Sequence, residues 1–367
     1  MRVWSLRFYV INFVWPPGTR LPAGTGGSEN YTIGQVRELI RRGIPAQVIT
    51  IGLGELDGRD EFVDIPFVAL KNQDEIADID GTVVFINGAS KVQTKEQAFI
   101  IMHIPPPERE KGWLSISQVV PNRTVIVPSK YAAQLWAHYL HIDLDDVHIA
   151  YPFAEPCFAT QVRKPSVKNN VRILFAGRLS AQKGIYTFLE MLHIDSIQEQ
   201  KNLVFSVTTA GSDKPEGKII RMLIEAHPSL TVIRARKTPA KMAALLSVQD
   251  IVLMPSNSQY WHETFGIVSV EAQHSGCWVV ASDDGGLPET NCGGVILVQP
   301  DDAQALARGI DQAIQNGELS VSIRRHAANL FTVEQSVDNL LRVLFPQEEL
   351  VVQPIEKVVL KSSIKLA

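Results

Sequence analysis

Val171–Gly184 reads VRILFAGRLSAQKG. An apolar run, broken only by Arg172, ends at Ala176. Gly177, Arg178, Lys183 and Gly184 follow, and the next segment has helical spacing as far as Leu192. A short apolar run closed by glycine reads as a strand buried on both faces of a parallel sheet, and the segment after it as a crossover helix. The loop between them places two cations at the carboxyl end of a strand and the start of a helix. Free backbone N–H groups and the helix dipole favour an anion there. Arginine adds a planar bidentate fork and lysine a compact charge, a pair suited to a diphosphate. By spacing alone, two solvated surface cations would read the same way.

Working outward, the same step repeats. Toward the C-terminus, strands are expected at Leu203–Thr208, Leu230–Arg234, Ile251–Met254, Trp278–Ala281 and Val295–Val298, with helices at Pro239–Ser247, Ile267–Ser275 and Val333–Leu344. Toward the N-terminus they are expected at Val3–Val14, Ala46–Ile51, Thr82–Ile86, Ala98–His103, Thr124–Val127 and Val147–Ala150, with helices at Ser28–Arg42 and at Tyr131–Leu140 behind a Ser129 cap. Such alternation predicts parallel sheets covered by helices on both faces. Tyr151–Asn170 interrupts it with three prolines and no clear period. The expected fold class is α/β, two Rossmann-like domains facing across a cleft. Residues 1–155 form the N-terminal domain, 156–170 a linker and 171–332 the C-terminal domain. Residues 333–367 form a helix and tail that could cross back to the first domain.

Bulk composition agrees. At ~100–200 residues per domain, 367 residues suggest two. With 45% hydrophobic and 20% charged residues the chain is globular, and a net charge of −4 gives no basic footprint for nucleic acid. Cys157, Cys277 and Cys292 are sparse and lack metal-ligand spacing, which suits reduced thiols and a cytoplasmic protein. Arg7 interrupts the first apolar run, so that run reads as a buried strand rather than a signal peptide. No run reaches the ~18 apolar residues of a membrane span. Arg37, Arg41 and Arg42, near the end of the first helix, could touch anionic lipid from the inner face of a membrane, or simply complement the helix dipole.

Ligands of open parallel sheets bind beyond the carboxyl ends of the strands. After Ile251–Met254 the chain runs to Glu263-Thr264-Phe265-Gly266-Ile267 and, four residues later, Glu271. A loop carboxylate there can meet hydroxyls at the helix start, and one inside the helix can accept two hydrogen bonds from a vicinal diol. Both could equally be ordinary surface glutamates. After Trp278–Ala281 comes Gly285-Gly286-Leu287-Pro288-Glu289, a bare loop that is weak evidence alone. In the first half, Gly26 and Gly27 lie between strand and helix and could present amides to a ligand, and His103 ends a strand. The glycines do not spell GxGxxG, which disfavours a dinucleotide. Asp78-Ile79-Asp80 and Asp143-Leu144-Asp145 match Asp-x-Asp by spelling only and read as solvated turns.

Together these features resemble the retaining glycosyltransferases of family 4, which have the GT-B fold. Gly177-Arg178-Leu179 with Lys183-Gly184 is similar to the family's phosphate loop, and Glu263 through Glu271 to its E-x7-E motif. Gly285–Glu289 followed by Gly293-Gly294-Val295 is similar to its next loop and strand. Gly26, Gly27 and His103 fall where the family places its N-terminal glycine loop and active-site histidine. Two departures stand out: the segment before the linker reads Ala150-Tyr151-Pro152-Phe153-Ala154 where the family usually has Asn-Gly, and no His-x-His element precedes His103.

The resemblance implies transfer of a hexose from a nucleoside diphosphate sugar to an acceptor hydroxyl with retention, without a metal. His103, Arg178, Lys183 and Glu263 are its catalytic residues. Gly26, Gly27, Arg236, Thr264, Phe265, Gly266, Ile267 and Glu271 join Arg178, Lys183 and Glu263 in holding the donor, with Glu271 on the ribose diol. UDP-glucose is the first-choice donor and GDP-mannose its competitor. The acceptor is a sugar, a lipid-linked saccharide or a small molecule, in polysaccharide or glycoconjugate synthesis. No carboxylate of the first half stands out as a nucleophile. A non-catalytic nucleotide-sugar-binding protein and a nicotinamide-dependent oxidoreductase are the readings from other classes.

Overall fold

In the computed structural model, residues 10–17, 19, 27–52, 64–88, 90–107, 123–164, 170–259 and 261–346 are described. Gly26 lies outside them. Thirteen strands are described, all paired in parallel in two sheets. The first sheet holds β1 (Ile11–Val14), β2 (Ala46–Ile51), β3 (Phe67–Leu70), β4 (Thr82–Ile86), β5 (Ala98–Ile101), β6 (Arg123–Val127) and β7 (Val147–Ile149), in the order β3-β2-β1-β4-β5-β6-β7. The second holds β8 (Val171–Phe175), β9 (Leu203–Thr208), β10 (Leu230–Ile233), β11 (Ile251–Met254), β12 (Trp278–Ser282) and β13 (Val295–Val298), in the order β10-β9-β8-β11-β12-β13. Each sheet reverses its winding once, at β1/β4 and at β8/β11. A crevice opens at such a point because neighbouring strands send their connections to opposite faces.

Helices cover both faces. In the first domain α1 (Gly27–Arg41) packs on one side and α2 (Lys130–Leu140) on the other, α2 starting at Ser129, whose hydroxyl accepts from the Ala132 amide at 2.9 Å. A short helix, α3 (Pro156–Thr160), lies inside the stretch expected to be a linker. Phe158 is fully buried in the core of the second domain with Ala154, so apolar burial outweighed the proline-rich local signal. The second domain adds α4 (Ile185–Met191), α5 (Asp195–Gln198), α6 (Pro215–Ala226), α7 (Pro239–Leu246), α8 (Ile267–His274), α9 (Ala303–Asn316) and α10 (Val321–Ala327).

The last described helix, α11 (Val333–Leu344), buries Val337, Leu340 and Leu341 in the core of the first domain beside α1. Gln35 donates to Ser336 at 3.1 Å, and Arg42 pairs with Asp338. Arg41 and Arg42 both grip the buried Glu38, and Arg37 pairs with Asp64. All three arginines are engaged in ion pairs within their own fold. No described helix is long and apolar enough to cross a membrane.

Candidate active site

A cleft of about 570 Å³ lies between the carboxyl ends of the two sheets. Its C-terminal wall begins with the loop after β8. Ala181–Lys183 form a single tight turn, and Gly184 (φ 71°) passes the chain into α4. A Cβ there would sit 1.6 Å from the Pro255 carbonyl oxygen, so only glycine lets the phosphate-type loop press against the loop after β11. That approach brings Lys183 Nζ onto Glu263 Oε1, a contact between a mostly covered lysine and a buried carboxylate. Ser256 Oγ donates to the same oxygen at 3.0 Å. Burial alone would raise the Glu263 carboxyl, but the Lys183 charge, the two hydrogen bonds and the more distant Arg178 outweigh it and hold Glu263 below its ordinary value. Glu263 is thus ionised. Arg178 and Arg236 line the same wall and are exposed.

The Gly285-Gly286 loop explains why Glu263 stays in place. The Gly286 amide donates to the Glu263 carbonyl at 2.7 Å, and added Cβ atoms would come within 2.5 Å of the Glu263 carbonyl oxygen and 2.4 Å of that of Thr264. Backbone thus packs directly on backbone. Phe265, Gly266 and Ile267 line the cleft at the entry to α8. Glu271, the fifth residue of that helix, also faces it. Burial and then the nearby Glu155 push its carboxyl up to about 8. Burial raises Glu155 too, against the pull of Arg37.

The N-terminal wall is built differently. His103 follows β5 with its ring edge-to-face on Tyr31, centroids 4.5 Å apart. Both ring nitrogens are shut off from solvent and have no hydrogen-bond partner among the described residues. Burial holds the imidazole at about 4, so it is neutral, with one donor and one acceptor to offer. Asn87, at φ 51°, accepts from the His103 amide at 2.7 Å and donates to Ser28 Oγ at 2.9 Å, tying the histidine to the start of α1. Gly27 opens α1 at the cleft edge.

Of the residues singled out from the sequence, His103, Arg178, Lys183, Arg236, Glu263, Thr264, Phe265, Gly266, Ile267, Glu271 and Gly27 all line this cleft. Thr264 does so with its hydroxyl engaged, donating to the His103 carbonyl across the domains at 2.6 Å. Asp80 pairs with Lys95 on the surface, and Asp143 and Asp145 are exposed, all of them away from the cleft. Sequence reasoning missed Tyr31, Asn87, Ser256 and Glu155. Only Asn87 left a trace, as an asparagine beside a glycine at a strand end, a place suited to positive φ. The sequence marked no carboxylate of the first half as a nucleophile; Glu29 and Glu155 line the cleft. One lies in the first turn of α1 and the other between Pro152 and Pro156, positions that only folding turns inward.

Residues 159–330 match the family model for glycosyl transferases group 1. The D-inositol 3-phosphate glycosyltransferase of Pseudarthrobacter chlorophenolicus is 30% identical over 175 residues, 45% of this chain and 40% of the relative. The chain thus matches less than half the length of that relative. A glycosyltransferase from Rickettsia africae superposes with a TM-score of 0.72 at 18% identity, over 91% of this chain and 97% of its own. Anabaena HepE, solved in complex with UDP and glucose, gives 0.70 at 16% identity, over 92% and 99%. At such identities the likeness establishes the fold, which is GT-B.

Proposed function

We propose, because residues 159–330 match the group 1 glycosyl transferase model in a chain of GT-B fold, that this protein is a retaining hexosyltransferase with a nucleotide-sugar donor, UDP-glucose first. The observation that carries this reading is the buried Lys183–Glu263 pair, its carboxylate ionised, facing a neutral histidine with two unpartnered nitrogens across the cleft. The base lies near Arg236, the ribose diol on Glu271, the diphosphate on Arg178 and Lys183. The hexose hydroxyls meet Glu263, the amides of Phe265 and Gly266, and His103. Gly27 closes the N-terminal edge.

In the transfer, the bond from the anomeric carbon to the diphosphate breaks and its electron pair leaves with UDP. The acceptor oxygen bonds the same face of that carbon, and its proton passes to the departing diphosphate oxygen. Negative charge builds on that oxygen beside Arg178 and Lys183. Fixed cations in a site that excludes water stabilise such charge strongly, the task a divalent metal performs in metal-dependent transferases. Glu29 and Glu155 take no covalent part. The acceptor, a saccharide, a lipid-linked saccharide or a small molecule in polysaccharide or glycoconjugate synthesis, approaches past Tyr31 and Ile104. The reaction is placed in the cytoplasm, at or near a membrane face.

A calorimetric screen of UDP-, GDP- and ADP-sugars and NAD, followed by donor hydrolysis with and without EDTA, tests the proposal. UDP-glucose is expected to bind and to be hydrolysed slowly, with no loss under EDTA. Binding of NAD alone would overturn the reading, binding with no turnover would leave a sugar-nucleotide carrier, and a magnesium-reversible loss would reassign the cations.

A further inference from the structure

Helix α2 starts with amides that have no partner inside the helix, as every helix does. Ser129 satisfies Ala132. The amides of Lys130 and Tyr131 are satisfied from the other domain: the Glu289 carboxylate accepts them at 2.9 and 2.8 Å, one on each oxygen. A carboxylate at a helix N-terminus also gains from the helix dipole. One of its oxygens takes a third bond, from the Tyr151 hydroxyl at 2.9 Å. Tyr151 stands in the segment joining the domains, with its ring against Phe265 and Phe331. Burial first, then the Glu289 charge, raises the phenol, so it keeps its proton and donates.

Glu289 belongs to the short turn Leu287–Thr290, which continues the Gly285-Gly286 loop packed under Glu263 and Thr264. Whatever fixes Glu289 against α2 therefore fixes the Glu263 segment against the first domain. Two further bonds run alongside: Ser129 Oγ donates to the Thr264 carbonyl at 2.5 Å, and Thr264 Oγ1 to the His103 carbonyl at 2.6 Å. Opening the cleft would break all of them. Glu289 is the charged member and the one that reaches both α2 and the interdomain segment.

We propose that Glu289 is a positioning residue that holds the domains closed through the start of α2 and Tyr151, and so sets His103 opposite the Lys183–Glu263 pair. The part concerning turnover rests on the hexosyltransferase reading; the part concerning closure does not. Glu289→Ala removes all three bonds, and Glu289→Gln puts an amide donor where a helix amide must be accepted. Tyr151→Phe removes one bond and leaves the helix cap. Turnover is expected to fall about ten- to a hundredfold in both Glu289 variants, and about three- to tenfold in Tyr151→Phe. UDP affinity should stay within about twofold, because its contacts lie in the second domain. Small-angle scattering with UDP should show a larger radius of gyration for Glu289→Ala than for the unaltered protein, at an unchanged circular dichroism spectrum.

The scattering difference is read whether or not the protein turns over a nucleotide sugar, so an inactive wild type counts against the proposed function and leaves closure decidable. Equal radii would overturn the proposal. So would a UDP affinity that falls as far as turnover, since Glu289 would then be supporting the donor wall itself. If Glu289→Ala failed to fold, Tyr151→Phe would decide by the same readouts.

Discussion

At the carboxyl ends of β8 and β11 the cleft presents Arg178, Lys183 and a buried Glu263 held ionised. At the carboxyl end of β5 it presents a neutral His103 against Tyr31, its backbone amide held by Asn87 at the end of β4. The two sheets share a winding, yet at the strand ends one wall carries a buried carboxylate held by cations and the other a neutral imidazole, with the Glu29 carboxylate beside it in the first turn of α1. A departing diphosphate needs cations on one side only. A transferred sugar, which carries no charge, is better met by a neutral imidazole, since a second buried cation would add desolvation cost with nothing to pair it. This division predicts that damage to the charged wall spreads to binding and turnover, while damage to the neutral wall stays in turnover.

Lys183→Ala should give the largest effect. It removes the diphosphate contact and leaves Glu263 charged and buried without its partner. Removing one member of a buried pair costs about 3–5 kcal/mol of folding stability, and loss of the cation beside the leaving diphosphate should cut turnover by roughly several hundred- to a thousandfold. Calorimetry with UDP and steady-state kinetics should both register the loss. If UDP bound as before, the charged wall would be structural and the comparison would collapse.

His103→Ala should come next. Loss of a positioned hydrogen-bonding group at a reaction centre costs on the order of a hundredfold in turnover, and UDP affinity should change by less than about twofold. The same two measurements sharpen the contrast, because the ratio of the two losses differs between the walls. Abolished UDP binding in a folded His103→Ala protein would place the histidine on the nucleotide.

The charged wall was legible in the sequence, and of the neutral wall only His103 and Gly27 were. Arg178, Lys183, Glu263 and Glu271 sit within short βα segments, where the loop after a strand is defined by local periodicity. Nearly every strand was legible for the same reason. Edge strand β3 was missed: its apolar run, Phe67–Leu70, is only four residues long, half-covered and preceded by Pro66, too short to stand out. The contacts that make the N-terminal wall join distant residues, Ser129 to Thr264 and Lys130 to Glu289, 135 and 159 positions apart. Nothing in a local window encodes such pairs. Tyr151 looked like a departure from a family pattern, and its place became readable only once its hydroxyl was seen on Glu289.

Glu271 should give the smallest effect, and it tests whether the charged wall extends to the ribose. Its carboxyl is raised from the ordinary 4.5 to about 8 by burial and by Glu155, so near pH 7 it is mainly protonated in the free protein. A ribose diol donating two hydrogen bonds favours the ionised form, so binding must pull the value down and release a proton. Calorimetry of UDP binding at pH 7 in buffers of different ionisation enthalpy should report that release, which should vanish at pH 9 and in Glu271→Gln. The substitution should weaken UDP about tenfold, within the roughly 1.5–3 kcal/mol of a charge-assisted bond. The free protein should show the same group from the other side. A folded value above the unfolded one contributes stability that is complete below about 4.5 and lost as pH rises through about 8. Glu271→Gln should therefore melt a few degrees above the unaltered protein at pH 9, at about 2–4 °C per kcal/mol for domains of this size, with a smaller difference at pH 5. Equal proton release from both proteins would put the ribose on another group and confine the charged wall to the diphosphate.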